Sequence, residues 1–216
     1  MTTVVDAGGT GWRKFAEFRK AVMEPAAVRV LAWLNIVGRG MDGREAEQSP
    51  TDMDPKATAQ AINANRDRIV GIKTAHYDGP EWIAVDRAVE AGKLANTPVM
   101  VDFGTFRPQR PFEQLVTQKL RPGDIYTHLY LNSVPMLDEK GHVRAYLIEA
   151  RKRGVLFDAG HGQGSFLFRL AVPAIRLGFL PDTISTDLHT GSMNAGMKDM
   201  ATVMSKFLSI GIQSKK

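Results

Sequence analysis

The sequence predicts an α/β fold, a barrel of the (β/α)8 TIM type from which one strand is missing. Seven short apolar runs, rich in β-branched residues, alternate with segments whose apolar residues recur at helical spacing. A strand and a helix repeat at roughly 30 residues, as in parallel strands joined by right-handed crossovers. Each run also ends in a polar residue able to bind metal or exchange protons. Because parallel strands end at one edge of a sheet, this pattern is typical of an enzyme site.

The first half of the chain supplies four of these units. The predicted strands are residues 2–5, 28–36, 68–73 and 98–103. The predicted helices are residues 12–22, 55–65, 81–95 and 112–120. Asp54 is the predicted N-cap of the second helix, because Pro55 follows it at the first helical position.

The second half continues the alternation. The predicted strands are residues 124–130, 155–158 and 183–187, and the predicted helices are residues 143–152, 166–177 and 200–210. A doubly wound open sheet is the alternative arrangement. It would usually have a glycine-rich first turn, which Gly8-Gly9-Thr10-Gly11 matches only weakly.

Composition narrows the class of protein. A chain of 216 residues with 44% hydrophobic and 24% charged residues suits one globular domain, residues 1–216. The net charge of +5 is scattered, so we expect no nucleic-acid partner. Without cysteine, any metal must have nitrogen and oxygen ligands. No segment resembles a membrane span or a targeting signal, so we expect no membrane partner and a cytoplasmic location.

Lys73 closes an apolar strand, where burial lowers the pKa of an ammonium group. A neutral amine there can form an imine with a carbonyl substrate. It can also capture carbon dioxide as a carbamate, an anionic ligand able to bridge two metal ions. A third interpretation is a lysine paired with Asp102.

Three further strand ends carry candidate site residues. His128 can be a metal ligand or a hydrogen-bonded core residue. Asp187 can bind metal and take a proton from water, or serve as a helix cap or salt-bridge partner. His161 and Gly162 lie in a glycine-rich loop that can approach a substrate closely, or that carries an incidental histidine.

Four motifs resemble the amidohydrolase superfamily, specifically its amidohydrolase/deacetylase branch related to dihydroorotases. They are Gly71-Ile-Lys73; Pro122-Gly-Asp124 leading to Thr127-His128; Gly154-Val-Leu-Phe-Asp158-Ala-Gly-His161-Gly; and Phe179-Leu-Pro-Asp182-Thr-Ile-Ser-Thr-Asp187-Leu-His189. They occur in order over nearly the whole chain. The resemblance implies a barrel that binds one or two divalent ions, usually zinc, and hydrolyses amide bonds.

The resemblance also implies roles for individual residues. Lys73 matches a lysine that becomes carboxylated, His128 matches a histidine ligand, and Asp187 matches an aspartate that binds metal and acts as general base. Asp102 stands where many members have a ligating histidine. The residues near the substrate are His161, Gly162 and His189.

The family's first strand supplies a His-x-His pair that this chain lacks, and the family adds a small β domain. We therefore expect a fragment without barrel strand 1 and that domain. The predicted activity is metal-dependent hydrolysis of an N-acyl or N-acetyl amino acid or a cyclic amide, a small-molecule substrate. The alternatives are an imine-forming lyase or aldolase that uses Lys73, and a catalytically inactive fragment. The sequence leaves open whether the protein forms a homo-oligomer.

Overall fold

The computed structural model describes residues 2–194 and 197–212. The chain divides into two compact units, Met1–Asp124 and Ile125–Lys216. In the described part, no helix is both long and apolar enough to cross a membrane. Met1, which begins the predicted domain, lies outside the described residues. The single domain predicted over residues 1–216 stays a prediction.

The first unit contains four parallel strands that pair in chain order. They are β1 Thr3–Gly11, β2 Arg29–Asn35, β3 Ile69–Thr74 and β4 Val99–Val101. The helices are α1 Phe15–Phe18, α2 Pro55–Ala64, α3 Ile83–Ala95 and α4 Phe112–Gln114. π-Helical turns, Arg19–Met23 and Leu115–Lys119, extend α1 and α4, and 3-10 turns cover Ala46–Gln48 and Pro50–Asp52. The α/β class, with helices between parallel strands, is confirmed.

Local sequence explains where the helices of this unit begin and end. The Asp54 carboxylate accepts hydrogen bonds from the amides of Lys56 and Ala57, at 2.9 and 3.0 Å, which confirms the predicted cap of α2. Helix α3 ends at Asn96, which takes the left-handed conformation with φ 47°. These two helices pack against each other, and each has small buried side chains, such as Ala59 in α2 and Ala88 in α3.

The second unit contains two paired parallel strands, β5 Ile125–Tyr126 and β6 Leu156–Phe157. Its helices are α5 Ala145–Lys152, α6 Phe168–Arg176, α7 Thr190–Asn194 and α8 Met200–Ser209. The sequence predicts the positions of all of these except α7. Strand β5 is shorter than the predicted 124–130, because His128 takes a left-handed conformation with φ 68°.

The predicted strand 183–187 is wrong as a regular strand. Thr183 forms one parallel bridge with Asp158, and the amides of Ala159 and His161 donate to the carbonyl oxygens of Thr183 and Ser185. The segment that pairs with it contains Gly160 and Gly162, with φ 50° and 48°. Because left-handed residues break the extended repeat of a strand, the pairing does not become a regular ladder.

Candidate active site

Lys73 lies near the end of β3, paired in register with Asn35 of β2 and Met100 of β4. Its side chain is only 5% exposed. A Cβ at Gly8, where φ is 99°, would lie 2.6 Å from the Lys73 Cγ. Glycine is therefore required where the end of β1 crosses this lysine.

The Lys73 ammonium has weak polar contacts for a buried group. Nζ lies 3.9 Å from the Met100 Sδ, and in the described part of the chain it forms no ion pair with Asp102. Burial raises the pKa of Asp6. Several smaller effects oppose this rise, and the charge of Lys73 is the smallest of them. A buried amine with so few polar partners suits a lysine that reacts with a substrate or carries a further chemical group.

Asp102, directly after β4, belongs to a hydrogen-bonded chain of three side chains. His76 lies between two carboxylates, with Nε2 3.2 Å from Asp102 Oδ2 and Nδ1 3.0 Å from Glu47 Oε2. The contact with Asp102, then the contact with Glu47, raises the pKa of His76 to about 10. His76 also takes the left-handed conformation, with φ 54°. The sequence does not single out His76 or Glu47, although His76 follows the strand end that carries Lys73.

In the second unit, Asp158 connects three segments near the ends of the strands. Its carboxylate is 2% exposed and accepts hydrogen bonds from three hydroxyl groups: Thr127 at 2.8 Å, and Thr183 and Ser185 at 2.7 Å each. Thr127 precedes His128, and Ser185 lies two residues before Asp187. Asp158 therefore fixes the backbone beside two candidate site residues.

His128 is 8% exposed, and its ring orientation is set by the glycine-rich loop. Its Nδ1 lies 2.8 Å from the carbonyl oxygen of Gly160, so in the neutral ring Nδ1 donates and Nε2 carries the lone pair. A Cβ at Gly160 would lie 2.6 Å from that Nδ1. This tautomer gives His128 the electronic form of a metal-binding imidazole.

Asp187 also has a left-handed backbone, with φ 46°. A Cβ at Gly162 would overlap the Asp187 Oδ2, so only glycine leaves room for this carboxylate. The buried Ser192 Oγ contacts the carbonyl oxygens of Asp187 and His189 at 3.0 Å each, which holds the turn in place. His76, His128 and Asp187 are thus three polar residues held in an unfavourable backbone conformation, as is common at functional sites.

His161 is 6% exposed and stacks on Phe166 with ring centroids 4.8 Å apart. Its Nδ1 lies 3.0 Å from the carbonyl oxygen of Gly162, and its Nε2 lies 3.0 Å from the Lys206 Nζ. Burial is the main cause that lowers the pKa of His161, so the ring is neutral near pH 7. The exposed His189 accepts a hydrogen bond at Nδ1 from the amide of Gly191, at 3.2 Å.

The candidate residues occupy both units. Lys73 and Asp102 lie in the first, whereas His128, His161, Gly162, Asp187 and His189 lie in the second. Among the described residues, no group of three or more His, Asp or Glu side chains is arranged to hold a metal ion. The individual donors are chemically suitable, since the His128 nitrogen and the Asp187 carboxylate are ligand types that zinc accepts. The site roles assigned in the sequence analysis stay predictions.

Comparison with known proteins shows similarity over almost the whole chain. A deacetylase of Brucella anthropi is 35% identical over 220 residues, which cover 98% of this chain and 54% of that protein. A deacetylase of Agrobacterium fabrum is 34% identical over 218 residues, which cover 97% of this chain and 53% of that protein. No protein-family model matches the sequence. The chain spans about half the length of the curated relatives it matches.

Two solved structures are similar in fold. A dihydroorotase is 32% identical with a TM-score of 0.86, and the match covers 99% of this chain and 60% of that one. An adenine deaminase is 27% identical with a TM-score of 0.90, and the match covers 99% of this chain and 59% of that one. Both are TIM barrels, which confirms the predicted fold class. The curated deacetylases and the two solved structures together confirm the resemblance to the amidohydrolase superfamily that the four sequence motifs indicate.

Proposed function

We propose that the protein that carries this chain hydrolyses an amide bond of a small molecule in a metal-dependent reaction. The proposed substrate is an N-acyl or N-acetyl amino acid, or a cyclic amide. The similarity to deacetylases over 98% of the chain supports a hydrolase. The observation that carries the proposal is the arrangement of His128 and Asp187, both left-handed, beside Gly160 and Gly162.

The proposed metal ligands are Lys73, Asp102, His128 and Asp187, and the proposed metal is one or two divalent ions, with zinc the first choice. When bound, such an ion polarises the amide carbonyl and makes water more acidic. The hydrogen bond between His128 Nδ1 and the carbonyl oxygen of Gly160 supports its role, because a metal-binding histidine is commonly oriented by such a bond. Lys73 suits carboxylation, in which the neutral amine forms an N–C bond to carbon dioxide and loses one proton. The weak contacts of its buried Nζ support that reaction.

Asp187 is the proposed catalytic base. Its carboxylate takes a proton from the attacking water and then gives that proton to the leaving nitrogen. Asp187 is therefore ionised again at the end of the reaction. The glycine at position 162 leaves this carboxylate accessible. We propose that His161, Gly162 and His189 contact the substrate beside it.

The experiment uses protein expressed from the complete open reading frame that encodes this chain. We would measure amine release from N-acetyl amino acids and ring opening of dihydroorotate, with and without a chelator. Asp187→Asn should lower kcat by roughly 100- to 10,000-fold, since it removes the base. Glu139→Gln is the control, because it changes an exposed carboxylate of the same unit. Turnover that persists in chelator and in Asp187→Asn would overturn the proposal.

A second candidate function is an imine-forming lyase or aldolase. It is favoured by the buried Lys73 amine, which has no ion pair in the described part of the chain. In this mechanism the neutral amine attacks a substrate carbonyl and water leaves. Borohydride reduction of the imine should then leave a secondary amine at Lys73, heavier than lysine by the mass of the substrate less one oxygen atom. Metal-dependent turnover without such an adduct would exclude the lyase.

A further inference from the structure

Lys206 has a histidine, and no carboxylate of the described residues, as the partner of its ammonium group. It lies on α8, is partly buried, and forms no ion pair with a carboxylate among the described residues. Its Nζ instead lies 3.0 Å from the Nε2 of His161. This contact is with an imidazole ring, so the Lys206 ammonium can still bind an anionic group.

His161 cannot supply that charge. Its Nδ1 donates to the carbonyl oxygen of Gly162, so Nε2 accepts a hydrogen bond from the Lys206 ammonium. The ring is held in this orientation because it stacks on Phe166 with an interplanar angle of 7°. An ammonium group has three N–H donors, and this contact uses one of them. The other two remain for an acceptor that His161 does not provide.

Lys206 and the proposed base both lie close to the segment His161-Gly162. His161 precedes Gly162, and the Asp187 carboxylate occupies the space where a side chain at Gly162 would lie. The charges of Lys206 and Asp187 both influence the pKa of His161, in opposite directions. A negatively charged substituent near the scissile amide would therefore come within range of Lys206.

We propose that Lys206 is a specificity-determining residue that binds a carboxylate of the substrate. This inference rests on the proposed hydrolase function and narrows it to amides that carry a carboxylate, as N-acyl amino acids do. The two remaining N–H groups of Lys206 donate to the carboxylate oxygens of the substrate. His161 acts as a positioning residue, since its hydrogen bond and its stacking fix the Lys206 ammonium.

The test compares two substrates that differ only in charge, N-acetylalanine and N-acetylalaninamide. The wild-type protein should favour the acid, and Lys206→Met should lower kcat/KM for the acid by roughly 10- to 100-fold, the magnitude typical of a hydrogen-bonded contact between charged groups. The loss should fall mainly on KM and should be several-fold larger for the acid than for the amide. Lys206→Arg should restore part of the preference. Lys198→Met is the control, because it removes an exposed positive charge from the same unit.

Calorimetry with the two compounds separates the failure of this inference from the failure of the proposed function. If neither compound is hydrolysed but N-acetylalanine binds in a Lys206-dependent manner, the hydrolase proposal fails and the carboxylate site stands. If both compounds are hydrolysed and Lys206→Met affects them equally, the hydrolase proposal stands and the carboxylate site is wrong. The site is also wrong if the wild-type protein binds the acid no more tightly than the amide.

Discussion

Replacement of Asp158 by alanine should destabilise the second unit by about 3 kcal/mol. The change removes three hydrogen bonds of 2.7 to 2.8 Å from a carboxylate that is 2% exposed. The Thr127 hydroxyl is buried and would lose its partner, which costs about 1–3 kcal/mol. Thr183 and Ser185 are more accessible and can turn to water, at a net cost of about 0.5–1.5 kcal/mol each. Relief from burying the carboxylate offsets part of this sum.

The assay is urea and thermal unfolding followed by circular dichroism. A loss of about 3 kcal/mol corresponds to a decrease in Tm of roughly 6–12 °C for a chain of this size. Asp158→Asn should cost less, because its amide oxygen still accepts from the hydroxyl groups. Glu139→Ala, an exposed site, should stay within about 0.5 kcal/mol of the wild type. If Asp158→Ala is as stable as this control, then the three hydroxyl contacts do not hold the strand ends together.

Two further predictions concern a glycine and a histidine. Gly162→Ala should lower both stability and amide hydrolysis, because φ is 48° and the new Cβ would overlap the Asp187 carboxylate. Gly164→Ala, with open space around it, should change neither. If the two substitutions have equal effects on kinetics and on unfolding, this prediction is wrong. The pKa of His76 is raised to about 10, so the stability that its charged form contributes is fully present below about pH 6.5 and is lost as pH rises through about 10. Urea unfolding of metal-free protein should show this loss of stability with rising pH in the wild type and not in His76→Gln. If the free energy of unfolding depends on pH identically in the two proteins, the ion-pair interpretation of His76 is wrong.

The sequence predicts most helices and strands because their apolar periodicity is clear. It underestimates β1, which reaches Gly11, because three glycines near its end suggest a turn. In the structure Gly11 still pairs with Asn35 after a shift of register. The segment 183–187 has the β-branched composition of a strand, but its partner contains two left-handed glycines. The length of a strand there depends on the conformation of the segment that pairs with it, and the composition of the strand itself does not encode that conformation.

The sequence predicts site residues only where a side chain able to bind metal or exchange protons stands at the end of a predicted strand. Lys73 and Asp187 stand out because each follows an apolar run. Glu47 and His76 form a pair across 29 residues of sequence, with no motif to connect them. Lys206 has the sequence environment of an ordinary surface lysine, and only its contact with His161 distinguishes it. Left-handed backbone at His76 likewise has no signature in the sequence, because it results from tertiary packing.

The most direct test of the metallohydrolase proposal is the metal content of the purified protein, measured by inductively coupled plasma mass spectrometry after dialysis against zinc. The wild type and the Glu139→Gln control should retain one or two zinc ions per chain, whereas Lys73→Met, His128→Ala and Asp187→Asn should each retain substantially less. Equal zinc content in all five proteins would contradict the proposal, as would a wild-type protein that binds no metal and still hydrolyses amides.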